Sequence, residues 1–168
     1  MVKAYFYNTE IGRIMISEDG DGITGLSIIS DNRMEIIHVK NEYDIQETEL
    51  IKEAAKQMTE YLKGNRMEFD LRLHPKGTDF QRKVWEALRT IPYGETRSYK
   101  QIACKVGNEK ASRAVGMANH NNPIMLIIPC HRVIGANGNL VGFGAGLDIK
   151  EQLLHLEKIN GDTKQKLK

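Results

Sequence analysis

Cysteine is scarce in this chain: 168 residues hold two, Cys104 and Cys130. Two thiols make no disulfide framework, and their scarcity predicts a reducing, cytoplasmic setting. They lack the paired-ligand spacing of a zinc site, and His38, His74, His120, His131 and His155 are scattered along the sequence. No metal is therefore expected. No apolar run approaches the roughly eighteen residues of a membrane span, and no signal-peptide pattern opens the sequence, so no membrane role is expected. The chain also lacks a phosphate-cradling glycine motif. The stretch Gly135 to Gly146 is dense in glycine but fits neither the P-loop nor the dinucleotide pattern. It can still line a pocket with backbone N–H groups, with Phe143 as a flap; a plain flexible connector is the simpler reading.

What is present is unevenly distributed. Residues 1–75 hold 9 Lys/Arg against 14 Asp/Glu, whereas residues 76–168 hold 15 against 8. Eight basic and three acidic residues lie between Arg82 and Arg113. An acidic half joined to a basic half suggests that one part meets a polyanion. The sequence pattern divides at Leu73-His74-Pro75-Lys76-Gly77, where Pro and Gly mark a linker. It predicts an α+β protein: a small N-terminal α/β domain with antiparallel strands over 1–75, then a helical domain carrying a helix-turn-helix over 76–168.

In the first domain, Ala4–Tyr7 and Gly12–Ile16 flank a turn, and a second turn over Glu18–Gly22 leads into Ile23–Ile29, a three-strand meander. Residues 47–63 follow a helical period, with Leu50, Ala54, Met58 and Leu62 as the apolar stripe. Nothing here looks chemical. In the second domain, Thr78 and Gln81 have capping-box spacing ahead of a helix with Phe80, Val84, Leu88 and Ile91 inward, and Trp85 reads as core. Ser98 and Gln101 repeat that spacing. Gly107 ends this short helix, and Asn108 can cap a second from Glu109 to about Ala118. Two short basic helices about a glycine read as a helix-turn-helix. In the second of these helices Ser112, Ala114, Val115, Gly116 and Ala118 are small and leave Arg113 prominent, which suits close approach to a groove.

The buried run Ile124-Met125-Leu126-Ile127-Ile128, a strand or core segment, delivers Pro129-Cys130-His131-Arg132-Val133. A thiol beside an imidazole and a guanidinium suggests a nucleophile at a pocket mouth, against the bland reading of a small core hydrophobe. Asp148 and Glu151 have capping-box spacing at the start of a last helix, on which Glu157 shares a face with Leu153 and Leu154. A carboxylate on a buried stripe needs a partner. His131 is one, giving a Cys–His–Glu order; Arg132 and Lys150 are the alternatives.

These residues match a known family. Pro129-Cys130-His131-Arg132-Val133 resembles the active-site signature of the O(6)-alkylguanine-DNA alkyltransferases, also called methylated-DNA–protein-cysteine methyltransferases. The likeness continues through Phe80-Gln81 and Val84-Trp85, Gly94-Glu95 and Ser98-Tyr99, Ala111 with Arg113 to Gly116, Asn122-Pro123, and Lys150 with Leu153, Leu154 and Glu157. The resemblance implies direct-reversal DNA repair, with irreversible single-turnover transfer of an alkyl group from O(6) of guanine, or O(4) of thymine, to Cys130. It implies no cofactor, a monomer, and duplex DNA bound through the minor groove with the damaged base flipped out. By the same resemblance, His131 activates Cys130 through a water and Glu157 orients it. Asn122 is the hinge, and Tyr99 crowds the DNA backbone and bonds the base. Val133 and Gly144, with Phe143 as pocket wall, border the guanine. Arg113 takes the base's place in the stack, and Lys100, Asn108 and Ala114 complete the DNA-contacting set. Three residues depart from the family pattern: Phe143 stands for a common Tyr, Ala145 for a Gly, and Met117 for a small residue. Three rival readings share parts of the pattern: a binding-only relative, a DNA-binding sensor of alkylation or oxidation at Cys130, and a Cys–His hydrolase.

Overall fold

The structure is a computed structural model that describes residues 2–29, 33–138 and 146–166. The chain divides into two compact units, Met1–Lys76 and Gly77–Lys168. In the first, β1 (Lys3–Thr9), β2 (Gly12–Glu18) and β3 (Ile23–Ile28) form the expected antiparallel meander. Two further elements had no signal in the sequence reading: α1 (Arg33–Glu42) and β4 (Asp44–Ile45), which pairs parallel with β1 to give the order β3-β2-β1-β4. Alternate residues of the central strand β2 face opposite sides. Met15 joins Ala4, Ile29 and Val39 of α1 in one cluster, and the neighbouring Ile14 and Ile16 are also buried.

Helix α2 (Glu49–Leu62) packs on β1 and β2, capped by Thr48, whose hydroxyl accepts from the Ile51 amide. Its buried line is Ile51, Ala54, Met58 and Tyr61, not the expected Leu50–Leu62 stripe, and Leu50 and Leu62 are half-buried. The reason is geometric. A strict every-fourth repeat drifts about 40° per step around a helix of 3.6 residues per turn, whereas mixed steps of three and four hold one face. The β2–β3 turn closes where the chain returns: Ile23 N donates to the Arg72 carbonyl at 2.8 Å and His74 N to the Ile23 carbonyl at 2.7 Å. A Cβ on Gly22 would lie 2.9 Å from that Arg72 oxygen, so only glycine fits there.

The second unit is built on α3 (Asp79–Leu88), α4 (Tyr99–Lys105), α5 (Ser112–His120) and α6 (Leu147–Lys166). Two of the three expected capping boxes, Thr78/Gln81 and Ser98/Gln101, are formed. Trp85 is core, and its Nε1 donates to the Ala118 carbonyl at 2.8 Å, fastening α3 to α5. Gly107, at φ 89°, stops α4. Helix α5 begins later than the sequence suggests. Asn108 does not cap it; its Oδ1 accepts from the Lys110 amide at 3.2 Å and closes the preceding turn, and Ala111 precedes the helix without a side-chain cap. The last helix opens at Leu147, so Asp148 lies inside its first turn and does not precede it. Two short strands, β5 (Arg97–Ser98) and β6 (Val133–Ile134), pair in parallel. Among the described residues no helix is long and apolar enough to cross a membrane.

Candidate active site

The run from Ile124 to Ile128 is buried, but as an irregular turn, with Leu126 at φ 72°. A leucine in that region is strained by about 1–3 kcal/mol, and its complete burial shows that packing holds it there. Asn122 clamps the turn at both ends: its Oδ1 accepts from Ile124 N at 3.0 Å and its Nδ2 donates to the Ile128 carbonyl at 2.8 Å. The turn delivers Cys130–Arg132 as a single 3-10 turn with all three side chains buried.

Burial pushes the Cys130 thiol up to about 11. A hydrogen bond with the Asn122 side chain, the Lys150 charge and the backbone N–H groups of Cys130 and His131 pull the other way. His131 is fully buried, and its Nε2 meets Glu157 Oε2 at 2.6 Å. Burial alone would raise the Glu157 carboxyl, but the hydrogen bonds and charges of His131 and Arg132 outweigh it and hold it at about 2. An ionised carboxylate only accepts, so His131 Nε2 carries the proton of that bond. Arg132 grips the same carboxylate twice, with Nε to Oε1 at 2.8 Å and Nη2 to Oε2 at 3.0 Å. Its Nη1 donates to the Ile91 carbonyl at 2.8 Å, and the guanidinium lies over the Tyr93 ring. Gly94 N adds a fourth donor to Glu157, at 3.2 Å. Burial, with Arg132 and Lys150, lowers the His131 pKa against the pull of Glu157. Of the three partners left open for Glu157, it takes two, His131 and Arg132. The third, Lys150, is fully buried and donates to the Val133 carbonyl at 2.5 Å. Burial lowers its pKa, while the charge of Cys130 raises it.

The β5–β6 pairing, through Ser98 and Ile134, carries Tyr99 alongside this turn. Its hydroxyl is pushed up by burial and by the charge of Cys130. Its ring lies against Gly116 of α5, where a Cβ would sit 3.8 Å from two ring carbons. Arg113, Ala114, Lys100 and Asn108 are exposed. Phe143 and Gly144 lie outside the described residues. One residue of the site, Asn119, went unassigned in the sequence reading, whereas Lys150, three residues before Leu153 and seven before Glu157, was read as an alternative partner of Glu157. Asn119, 2 % exposed, donates from Nδ2 to the Cys130 carbonyl at 3.3 Å. Among the described residues one set could hold a cation, Asp19, Asp21 and His74, in the first unit. There Asp19 already accepts from two turn amides and meets His74 at 2.6 Å and Lys76 at 3.3 Å, a closed salt-bridge network.

Fold and site together define a class: a two-unit α+β protein whose helical unit sets a buried cysteine, with its imidazole–carboxylate pair, beside a helix-turn-helix. Comparison with known proteins gives that class its family. Residues 79–159 match the 6-O-methylguanine DNA methyltransferase, DNA binding domain, and residues 2–75 match the ribonuclease-like domain of the same proteins. A methylated-DNA–protein-cysteine methyltransferase of Methanosarcina acetivorans is 48% identical over 151 residues, covering 90% of this chain and 95% of that protein. The constitutive enzyme of Bacillus subtilis is 44% identical over 153 residues, 90% and 93% of the two chains. The crystal structure of the Mycobacterium tuberculosis O6-methylguanine methyltransferase superposes with a TM-score of 0.85 at 42% identity, covering 95% of this chain and 94% of that one. The same mycobacterial protein has also been solved in complex with DNA. The chain belongs to the 6-O-methylguanine DNA methyltransferase family.

Proposed function

We propose that this protein repairs alkylated DNA by direct reversal, with Cys130 as the acceptor. The observation that carries the reading is the buried Cys130–His131–Glu157 order beside a helix-turn-helix, in a chain of this family. The Cys130 sulfur attacks the alkyl carbon on O(6) of guanine: an S–C bond forms and the C–O bond breaks. The thiol proton passes to His131 through a bridging water. Glu157, kept ionised by Arg132, orients the ring and stabilises the charge it acquires. The departing guanine oxygen is neutralised by a proton from the Tyr99 hydroxyl, which the imidazolium makes good, so the thiol proton ends on the base and nothing else is consumed. The product is a thioether that water does not hydrolyse, so each chain acts once.

Lys150 supports the thiolate as its charge develops, because a cation held in the interior acts at low dielectric. The base must leave the stack to reach so buried a sulfur. Arg113 on α5 fills the gap, Tyr99 crowds the backbone, Val133 borders the base, and Lys100, Asn108 and Ala114 seat the duplex in its minor groove. Asn122 holds the Cys130 turn to α5. Residues 1–75 are the structural domain and 76–168 the reactive one. The protein acts as a monomer in the cytoplasm, without a cofactor. O(4)-alkylthymine presents the same carbon–oxygen bond and is the second substrate.

The test is to incubate the protein with duplex DNA carrying one O(6)-methylguanine and weigh the intact chain. A gain of one methyl that saturates at one per chain, absent in Cys130→Ala, is expected. Repeated turnover would point to a hydrolase, and binding without mass gain to a sensor.

A further inference from the structure

Helix α5 turns Val115, Ala118 and Asn119 inward and leaves Arg113, Ala114, Met117 and His120 exposed. Met117 is 58% exposed, an unusual place for so large an apolar side chain on a helix of otherwise small and polar residues. It stands four residues after Arg113, hence on the same side one turn further along. Gly116 between them is the residue against which the Tyr99 ring lies. Helix α5 contains no acidic residue, and Lys100, Lys105 and Lys110 nearby in sequence are exposed. Single exposed apolar side chains are ordinary on protein surfaces. Met117 differs in standing on the same side of α5 as Arg113, among small residues, with the Tyr99 ring against the neighbouring Gly116.

Resting on the repair reading above, we propose that Met117 is an apolar wedge that enters the minor groove of duplex DNA one helical turn beyond Arg113 and packs on deoxyribose and base edges beside the everted guanine. Apolar side chains, methionine among them, serve minor-groove proteins this way, opening the base steps they press on. The thioether is unbranched and polarisable, so it fits a groove floor whose contour varies with sequence. The contact releases no counterion, so its contribution to affinity does not weaken with salt, unlike that of a lysine on a phosphate. It also makes seating easier where the neighbouring step deforms readily, as pyrimidine–purine steps do.

The experiment compares the unaltered protein with Met117→Ala, Met117→Leu and Lys100→Ala. It measures the second-order rate of methyl transfer from duplex DNA across about 50 to 200 mM salt, and from the free O(6)-methylguanine base. Met117→Ala is expected to lower the duplex rate about tenfold more than the free-base rate, with the slope of log rate against log salt unchanged. Lys100→Ala should flatten that slope by about one. Met117→Leu, which keeps the apolar bulk, should restore the duplex rate to within about threefold. A duplex rate for Met117→Ala within about twofold of the unaltered protein, or equal losses on duplex and free base, overturns the wedge while leaving the repair reading intact. Failure of the unaltered protein to take a methyl from either substrate overturns both.

Discussion

The two units bury different things. In residues 1–76 the interior is aliphatic apart from Tyr61, and the buried polar groups are held mainly by backbone and neutral partners: Gln57 exchanges two hydrogen bonds with the Asp70 backbone and donates to Glu53, and Glu18 accepts from Gly20 N and Thr48. The ionic contacts of that unit sit at its rim, where side chains such as His74 remain 41% exposed. In residues 77–168 the interior contains His131, Glu157 and Lys150, all at 0% exposure, with Arg132 at 7% and Cys130 at 3%. Taking charges out of water is costly, and well-packed hydrophobic residues of the same volume often stabilise as well or better. The first unit closes its core with one buried carboxylate, Glu18, and no buried cation among the described residues. The second gathers buried charges of both signs about the one buried thiol, a placement that stability alone does not call for.

The largest effect that would separate the units is at Glu157. Replacing it with Gln leaves Arg132 buried against a neutral amide, which is expected to destabilise the second unit by about 3–5 kcal/mol. Trp85 is the only tryptophan in the chain and lies in this unit, so urea unfolding followed by tryptophan fluorescence reads that unit alone. Adding Arg132→Met should recover part of the loss, because the orphaned charge goes with it. A midpoint unmoved by Glu157→Gln would show that the buried cluster carries no structural cost.

Acid provides the next contrast. The His131 pKa is depressed from 6.5, so the stability tied to its neutral form is complete above pH 6.5 and drains as the pH falls toward the lowered value. The Glu157 pKa is depressed from 4.5 to about 2, so its contribution is complete above pH 4.5 and lost as the pH drops to about 2. Both signs agree: the Trp85 signal should weaken below pH 6.5 and collapse through the Glu157 range. Glu157→Gln should abolish the lower step, and a transition in that protein identical to the unaltered one would contradict the assignment.

The caps give a smaller effect, about 1 kcal/mol each. Thr78→Ala removes the hydroxyl half of the box that opens α3, leaving the residue-78 amide to donate to Gln81, and Thr48→Ala removes the cap of α2 together with the hydroxyl that Glu18 accepts from. Tryptophan fluorescence should register the first and miss the second, which circular dichroism would see. A fluorescence shift in Thr48→Ala would show that the two units unfold as one.

What the sequence made legible was local. Two of the three capping boxes, the meander and the helix-turn-helix follow from spacings within a few residues, where propensity and hydrogen-bond reach decide the outcome. Helix α1 and β4 were not legible, because α1 shows no capped apolar stripe and β4 is two residues made stable only by pairing with β1. The start of α5 was misplaced since Asn108 satisfies a turn amide equally well. At the site, the Cys130–His131 neighbourhood and the inward face of Glu157 were readable. That Glu157 would take His131 and Arg132 together depends on the fully buried meeting of α6 with the Cys130 turn, 25 residues earlier, which no spacing encodes.

The smallest expected effect lies at the rim of the first unit. Asp19→Asn keeps an Oδ1 for the amides of Asp21 and Gly22 and removes only the charge that faces His74 and Lys76. Ion pairs reached by water contribute about 0–1 kcal/mol and are screened by salt, with a Debye length of about 8 Å at physiological ionic strength. Amide exchange at Ile23 and His74, whose N–H groups tie the return strand to β3, should therefore quicken only a few-fold, and the difference should shrink as salt is raised. A loss at Asp19 as large as that at Glu157, insensitive to salt, would mean that the first unit also depends on a charge shielded from water, and the contrast between the two interiors would no longer stand.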